Sequence, residues 1–322
     1  MLDIITIGAG TRDVFLISKN FEIINSAQSA TGKFECIPFG SKIDIEKIVH
    51  TTGGGATNAA ATFAQLGFRT AAICRIGEDN AGSDVLHELQ MNGVKTHLVK
   101  TIEKGATAYS TLLTTISGER SVLVYRGVSS TFSNNDIAWS KCNANWIYLT
   151  SLGGNLAVAK NIIAHAKKKK ISLAWNPGGA EIKKGLSVFK NILNDVNILN
   201  VNREEAEILA GTGTIKQMLK KLACKGNIVI ITDGPKGAYA HLDGITYYAK
   251  TSGAKSVSRT GAGDAFGSGF VASWMQTHDI ERALAVAMLN AESVIQSIGA
   301  KIGILNQFPS NTQLKKIKIK KI

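Results

Sequence analysis

Short apolar runs of strand length alternate with longer segments of helical period along most of this chain, and that alternation constrains the fold more than any other feature. IITIG (4–8) reads as a strand and ATNAAATFAQLG (56–67) as a helix with Ala60, Phe63, Ala64 and Leu66 on one side. TAAICRIG (70–77) reads as a strand and AGSDVLHELQMNG (81–93) as a helix stopped by Gly93. WIYLTSL, NLAVAKNIIAHAKK, ISLAWNP, VNILNVN, REEAEILAG, NIVIITDG and GDAFGSGFVASWMQ continue the alternation. Nearly continuous apolar strands joined through helices are what a parallel sheet covered on both faces requires. Two segments, about 14–50 and 94–126, break the pattern. Stretches such as TAYSTLLTTI and SVLVYRG alternate apolar and polar residues and read as antiparallel strands of a small second sheet. The expectation is an α/β chain, a single domain over residues 1–322 with these two segments as its appendage.

The charge is lopsided, with 37 Lys and Arg against 24 Asp and Glu, a formal +13. Its placement argues against nucleic acid. Lys167 to Lys170 end a helical segment, where cations favour the helix dipole and need no partner. Lys315, Lys316, Lys318, Lys320 and Lys321 lie in the tail, where solvated charge is the default. Neither run is interleaved with aromatics or sits in a nucleic-acid motif. A positive potential also draws in ATP and anionic metabolites. No stretch approaches the ~18 apolar residues of a membrane span, and the start MLDIITIGAG lacks a basic region before a leader-length apolar run. Cys36, Cys74, Cys142 and Cys224 are scattered without a CxxC pair, so neither a disulfide framework nor a zinc site is expected and a cytoplasmic location is.

Four segments carry candidate chemistry. Thr260-Gly261-Ala262-Gly263-Asp264-Ala265-Phe266 runs into an apolar helix. Three small residues let the backbone turn tightly and aim N–H groups outward, and the helix adds its own free N–H groups and dipole, which together suit phosphate oxygens. A carboxylate beside such an anion hole is what phosphoryl transfer to a hydroxyl needs; alone, the segment could equally be a glycine turn with an acidic helix cap. Gly53-Gly54-Gly55-Ala56-Thr57-Asn58 again precedes a helix, either letting the chain pass close to a polyol or serving as a flexible loop. Asn202-Arg203-Glu204-Glu205 is a capping box by pattern. At the carboxyl edge of a sheet its Glu205 could also hold magnesium through water. Thr232-Asp233-Gly234-Pro235-Lys236-Gly237 is a turn that could flank a nucleotide. No GxxxxGK[ST] occurs, and Asp13 and Phe266 stand where a third dinucleotide-fingerprint glycine belongs.

Their order along the chain resembles the ribokinase-like (PfkB) carbohydrate kinase family. Gly53 to Gly77, with Asn58 and Gly67 at the expected intervals, resembles its N-terminal signature, and SRTGAGDAF its C-terminal one. Asp13, the NxxE element and the TDG turn fall around them in the family's order. The resemblance implies a ribokinase-like three-layer α/β/α core, mostly parallel, with a small β-sheet lid formed by the two irregular segments. It implies Asp264 as the base, with Gly261, Ala262 and Gly263 as the anion hole, and Asp13, Gly54 and Asn58 on substrate hydroxyls. Asn202 and Glu205 would serve phosphate and hydrated Mg2+, with Thr232, Gly234 and Gly237 beside ATP. Arg126, in Tyr125-Arg126-Gly127, resembles an arginine that some sugar and sugar-acid kinases use on substrate; it could equally be a solvated lid residue. The lid often forms a dimer contact in such proteins, which implies a possible homodimer.

Three departures from the family pattern bear on this. Ser258-Arg259-Thr260 replaces the usual Asp-Thr-Thr, which puts activation by a monovalent cation (K+) in doubt. Gly55 stands where ribokinases have Lys, and WIYLTSLGG lacks their ribose-gripping Glu, which weakens ribose itself as the acceptor. The leading expectation is transfer of the ATP γ-phosphoryl group to a hydroxymethyl group of a small sugar. A nucleoside kinase is the alternative, with Phe15, Phe21, Phe34, Phe39 and Tyr109 as a base pocket or as lid core. A non-catalytic ligand-binding relative is the third reading.

Overall fold

A computed structural model describes residues 1–29 and 31–322. Among these, nine strands form the main sheet, in the order Ile319–Lys321, Ile245–Ala249, Ala238–Leu242, Ile228–Thr232, Ile198–Asn202, Ser172–Trp175, Ala144–Leu149, Leu2–Ile7, Thr70–Ile73. The strands from Ile228–Thr232 to Thr70–Ile73 run parallel, and those at the other edge are antiparallel. Both faces are dry. Ile5, Ile7, Leu149, Leu199 and Val229 pack under the helices Leu156–Lys169 and Arg203–Ala210, whereas Ile4, Tyr148, Ile198 and Ile230 pack under Gly55–Gln65, Ala262–Thr277 and Ile280–Val294. Burial on two sides explains why these strands read as continuous apolar runs without polar alternation.

One contact sets the height of the helix that carries Asp264. A methyl group on Gly267 would stand 2.2 Å from the Tyr148 hydroxyl and 2.5 Å from Asn200 Nδ2. The helix therefore rests directly on the sheet, and no side chain larger than hydrogen fits between them.

A second sheet has the order Arg120–Tyr125, Ala108–Thr115, Thr11–Ser18, Lys47–Gly53. Its outer pairings are antiparallel, but the central pair, Thr11–Ser18 with Ala108–Thr115, is parallel, which alternating hydrophobicity could not reveal. The sheet also starts earlier and ends later than residues 14–50, and Glu22–Asn25 with Lys33–Cys36 form a separate two-stranded ribbon within that segment. Residue 30, within that segment, lies outside the described residues. Residues 100–102 of the other segment pair elsewhere, with Arg75–Gly77.

Several local expectations change. TAAICRIG splits at Cys74 into Thr70–Ile73 and Arg75–Gly77, each pairing with a different partner. The next helix starts at Asn80 because the Asp79 carboxylate accepts from Gly82 N–H at 2.7 Å, an N-cap. The lysine-rich tail is structured: Ile319–Lys321 pairs with Tyr247–Ala249, and the Lys321 ammonium lies 5.6 Å from the Tyr247 ring centre. Lys167, Lys168 and Lys169 do occupy a last helical turn, which Lys170 terminates in the left-handed conformation (φ 56°). All four cysteines are free.

The loop after Ala144–Leu149, at the carboxyl edge of the sheet, is organised by one buried acid. Glu181, 1% exposed, accepts from Leu152 N–H at 2.6 Å, Gly154 N–H at 3.0 Å, Gly178 N–H at 3.1 Å and the Ser151 hydroxyl at 3.0 Å. Removing a carboxylate that satisfies several buried donors leaves each donor with its desolvation cost. Glu181→Ala is expected to lower unfolding free energy by about 3 kcal/mol, read from urea midpoints at unchanged slope. A loss below about 0.5 kcal/mol would show that water replaces the carboxylate at no cost.

Candidate active site

The two glycine-rich segments, far apart in sequence, meet at the carboxyl edge of the parallel strands. Gly261 (φ 80°) precedes the helix Ala262–Thr277 in the left-handed conformation, and a methyl group on it would stand 2.5 Å from the Ala300 methyl. Gly263 faces open space, with no atom within 4 Å of where a side chain would begin. The Ala262 N–H is drawn toward the Arg259 carbonyl at 3.3 Å, so the outward first-turn amides are those of Gly263 and Asp264. The expected trio Gly261, Ala262 and Gly263 thus includes one donor that is partly engaged.

Asp264 is half-buried in this first turn, and its Oδ2 accepts from Asn58 Nδ2 at 2.8 Å. Asn58, on the helix Gly55–Gln65 behind Gly54, is 5% exposed, and its Oδ1 is buried without a protein partner. Burial pushes the Asp264 carboxyl above its ordinary pKa; the Asn58 amide and the charge of Lys301 oppose that push, and Asp13 adds to it. Asp13 lies on the lid strand Thr11–Ser18, buried, accepting from the Thr11 hydroxyl at 3.0 Å. Its carboxylate covers Gly53, where a methyl group would stand 1.9 Å from Oδ2. Burial raises the pKa of Asp13 too, against hydrogen bonds from Thr11 and Ser110. Gly54 (φ 96°) packs on the Ala9 carbonyl, which a methyl group there would approach to 2.4 Å. Carboxyls held above the usual range beside helix-terminal amides suit a general base that works near neutrality.

Sequence reasoning missed Lys301. It is 6% exposed, and its ammonium donates to the Thr52 carbonyl at 2.9 Å and the Thr52 hydroxyl at 2.8 Å. Nothing in GAKIG distinguishes this lysine from a solvated one.

The second cluster lies along the same edge. Asn202 and Thr232 end adjacent parallel strands and are paired in register. Asn202 Oδ1 accepts from Glu205 N–H and Glu205 Oε2 from Asn202 N–H, each at 2.9 Å, so the capping box forms. One Glu205 oxygen is left over, and burial raises the pKa of that carboxyl. Arg203 bridges this turn to the next through Asp233 Oδ2 at 3.1 Å. Gly234 (φ 50°) and Gly237 (φ 102°) shape that turn, and a methyl group on Gly237 would strike the Ala249 carbonyl at 2.2 Å. Among the described residues no group of three or more His, Cys, Asp or Glu forms a preformed metal cage.

A cavity lies between the main sheet's carboxyl edge and the second sheet, lined by Ala9, Thr11, Arg126, Ser129, Ser130 and Ser151 among others. Thr11 links it to Asp13. Ser129 Oγ is buried without a protein partner. Of the expected base-pocket aromatics, Phe15 and Phe21 are buried in the protein and Phe34 and Phe39 are exposed; none of the five lines the cavity. The loop that Glu181 organises supplies Ser151, Leu152 and Gly153 to its wall. Glu181 does not offer this wall a free carboxylate, because backbone amides and the Ser151 hydroxyl engage it.

The pfkB family carbohydrate kinase model matches residues 22–306. An ATP-dependent ribose-1-phosphate kinase of Halopiger xanaduensis is 30% identical over 236 residues, 73% of this chain and 77% of that one. Among solved structures, the ribokinase of Arabidopsis thaliana complexed with ribose and ATP superposes with a TM-score of 0.77 at 21% identity, covering 98% of each chain. The nucleoside kinase of Methanocaldococcus jannaschii gives 0.77 at 17% identity, covering 98% of this chain and 99% of that one. The structural likenesses establish the ribokinase fold, a mostly parallel α/β core with a small β lid. With the family match over most of its length, the chain belongs to the pfkB family of carbohydrate kinases and is a phosphotransferase with an alcohol acceptor.

Proposed function

We propose that Asp264 deprotonates a hydroxymethyl group of a small sugar as it attacks the γ-phosphorus of ATP. The observation that carries this is the Asp264 carboxylate at a helix N-terminus, held by Asn58 beside the outward amides of Gly263 and Asp264. The carboxylate takes the hydroxyl proton while the amides and helix dipole meet the charge on the transferring phosphoryl group. Asp13, Asn58 and the Gly54 turn orient the acceptor, and Asn202, Thr232, Gly234 and Gly237 flank ATP. A hydrated magnesium ion, when bound with ATP, would offset phosphate charge, and the free oxygen of Glu205 would hold it through a water. We include no monovalent cation: Ser258, whose hydroxyl accepts from Thr260 N–H at 3.3 Å, brings no carboxylate. Closure of the lid over the acceptor would exclude water and so suppress ATP hydrolysis. With all four cysteines free, a reducing cytoplasm is the location we propose.

Asp264→Asn is expected to lower kcat by about 10³-fold while ATP affinity and melting temperature stay near the parent's. ADP release followed with a Mg-ATP panel of pentoses, hexoses, sugar acids, sugar phosphates and nucleosides checks this. Turnover within a few-fold of the parent's would remove Asp264 from the chemistry. In the parent, kcat should fall as pH drops through the Asp264 pKa, above the usual aspartate range, because the protonated acid cannot accept the hydroxyl proton.

We take the acceptor to be small and to carry an anionic group because Arg126 lines the cavity, beside the apolar Val124, Phe132 and Leu152. The Halopiger relative is named for a phosphorylated pentose, which supports the same reading. Arg126→Ala should raise KM for sugar phosphates or sugar acids by about 10- to 100-fold and leave neutral sugars nearly unchanged. Equal effects on both classes would take Arg126 off the acceptor.

We further propose a homodimer through the lid. Val122, Leu123, Val124 and Tyr125 are each 46–58% exposed on an edge strand, with Ile24 and Phe34 also uncovered. Apolar side chains on an open strand edge need cover. Light scattering should give twice the chain mass for the parent and the chain mass for Leu123→Glu; a monomeric parent would end this proposal.

A further inference from the structure

Lys301 takes no part in the chemistry just described, yet it is a buried cation in the middle of it. Two of its three donors are engaged by Thr52. The Thr52 hydroxyl passes on to Glu88 by donating to Oε2, which also accepts Thr52 N–H at 3.1 Å. A buried ammonium is costly unless opposite charge surrounds it. Burial lowers the pKa of this ammonium, and three carboxyl groups from separate places in the chain oppose that: Glu88 on the helix Asn80–Met91, Asp13 on the strand Thr11–Ser18 and Asp264 on the helix Ala262–Thr277.

The turn that carries the lysine touches both halves of the site. Gly299 packs on Thr51 of the lid strand Lys47–Gly53, where a methyl group would stand 3.0 Å from Thr51 Cγ2. Ala300 fills the space against Gly261 in the anion-hole loop. Lys301 then anchors on Thr52.

We infer that Lys301 is a positioning residue whose buried ammonium, while protonated, favours the carboxylate form of Asp264, from a turn that joins the lid strand to the anion-hole loop. The inference rests on Asp264 being the base. Burial and the neighbouring Asp13 carboxylate both favour a protonated Asp264, which could not accept a hydroxyl proton. The Asn58 amide counters them with one hydrogen bond, and the Lys301 ammonium counters them with a full charge in a low-dielectric setting. The same ammonium steadies Asp13, so one cation serves the acceptor-side acid and the base together.

The test needs no acceptor. In protein labelled with carboxyl-13C aspartate, the Asp264 resonance is assigned by its loss in Asp264→Asn and its titration followed by NMR. In Lys301→Met its midpoint should rise by about one pH unit or more, and in Lys301→Arg it should stay near the parent value. In the parent, one lysine ε-carbon should titrate below the rest, and the Asp264 carbon should show a second inflection at that same pH. An unmoved midpoint in Lys301→Met, or no second inflection in the parent, overturns the inference. The parent measurement decides alone if the Met variant does not fold. Absence of phosphoryl transfer across the acceptor panel would sink the kinase reading and leave this titration unaffected, so the two failures are separable.

Discussion

The hydrogen bond between Asn58 and Asp264 is the contact on which the site depends, because it joins two segments that the chain keeps 206 residues apart. Each partner arrives in the first turns of a helix, and each helix lies on the same face of the main sheet. Asp264 alone would be a helix-terminal acid and Asn58 alone a buried amide with half its capacity unmet. Together they place a carboxylate of raised pKa next to unengaged amides, at the edge where open α/β folds gather ligands.

Around this pair the protein spends several buried charges. Asp13, Glu181, Glu292 and Lys301 are buried and Asp264 is half-buried, and a buried charge is costly unless partnered. Two of them hold loops still. Glu181 gathers backbone amides of the loop after Ala144–Leu149, and Glu292 accepts from Ser252 N–H at 2.5 Å and the Ser252 hydroxyl at 2.6 Å, ahead of the anion-hole turn. The rest face the site. Rigid walls and an electrostatically loaded centre are the division expected of a catalyst that works by positioning.

Much of this was legible in the sequence, for identifiable reasons. The core strands announced themselves because both faces are buried, whereas TGAGDAF and GGGATN each left a plain structural reading open and gained meaning only from their order along the chain. Other features were hidden. The parallel pairing of Thr11–Ser18 with Ala108–Thr115 depends on topology, which local alternation does not encode. IKIKK has the period of a strand, but its lysines disguised an edge that pairs with Tyr247–Ala249. Lys301 and Glu181 look like surface charges in their own neighbourhoods, and only long-range packing buries them. Asn202 and Glu205 were read both ways, and the capping box that forms leaves one carboxylate oxygen over for a second use.

The second sheet is not a module hung from the core by linkers. Gly8, Ala9 and Gly10 alone separate the core strand Leu2–Ile7 from Thr11–Ser18, and Gly54 alone separates Lys47–Gly53 from the helix that bears Asn58. Both joints are also walls of the cavity or its neighbours. The second sheet is therefore tied to the core through the same few residues that wall the cavity and carry Asp13 and Asn58 beside it, with no slack of chain between them.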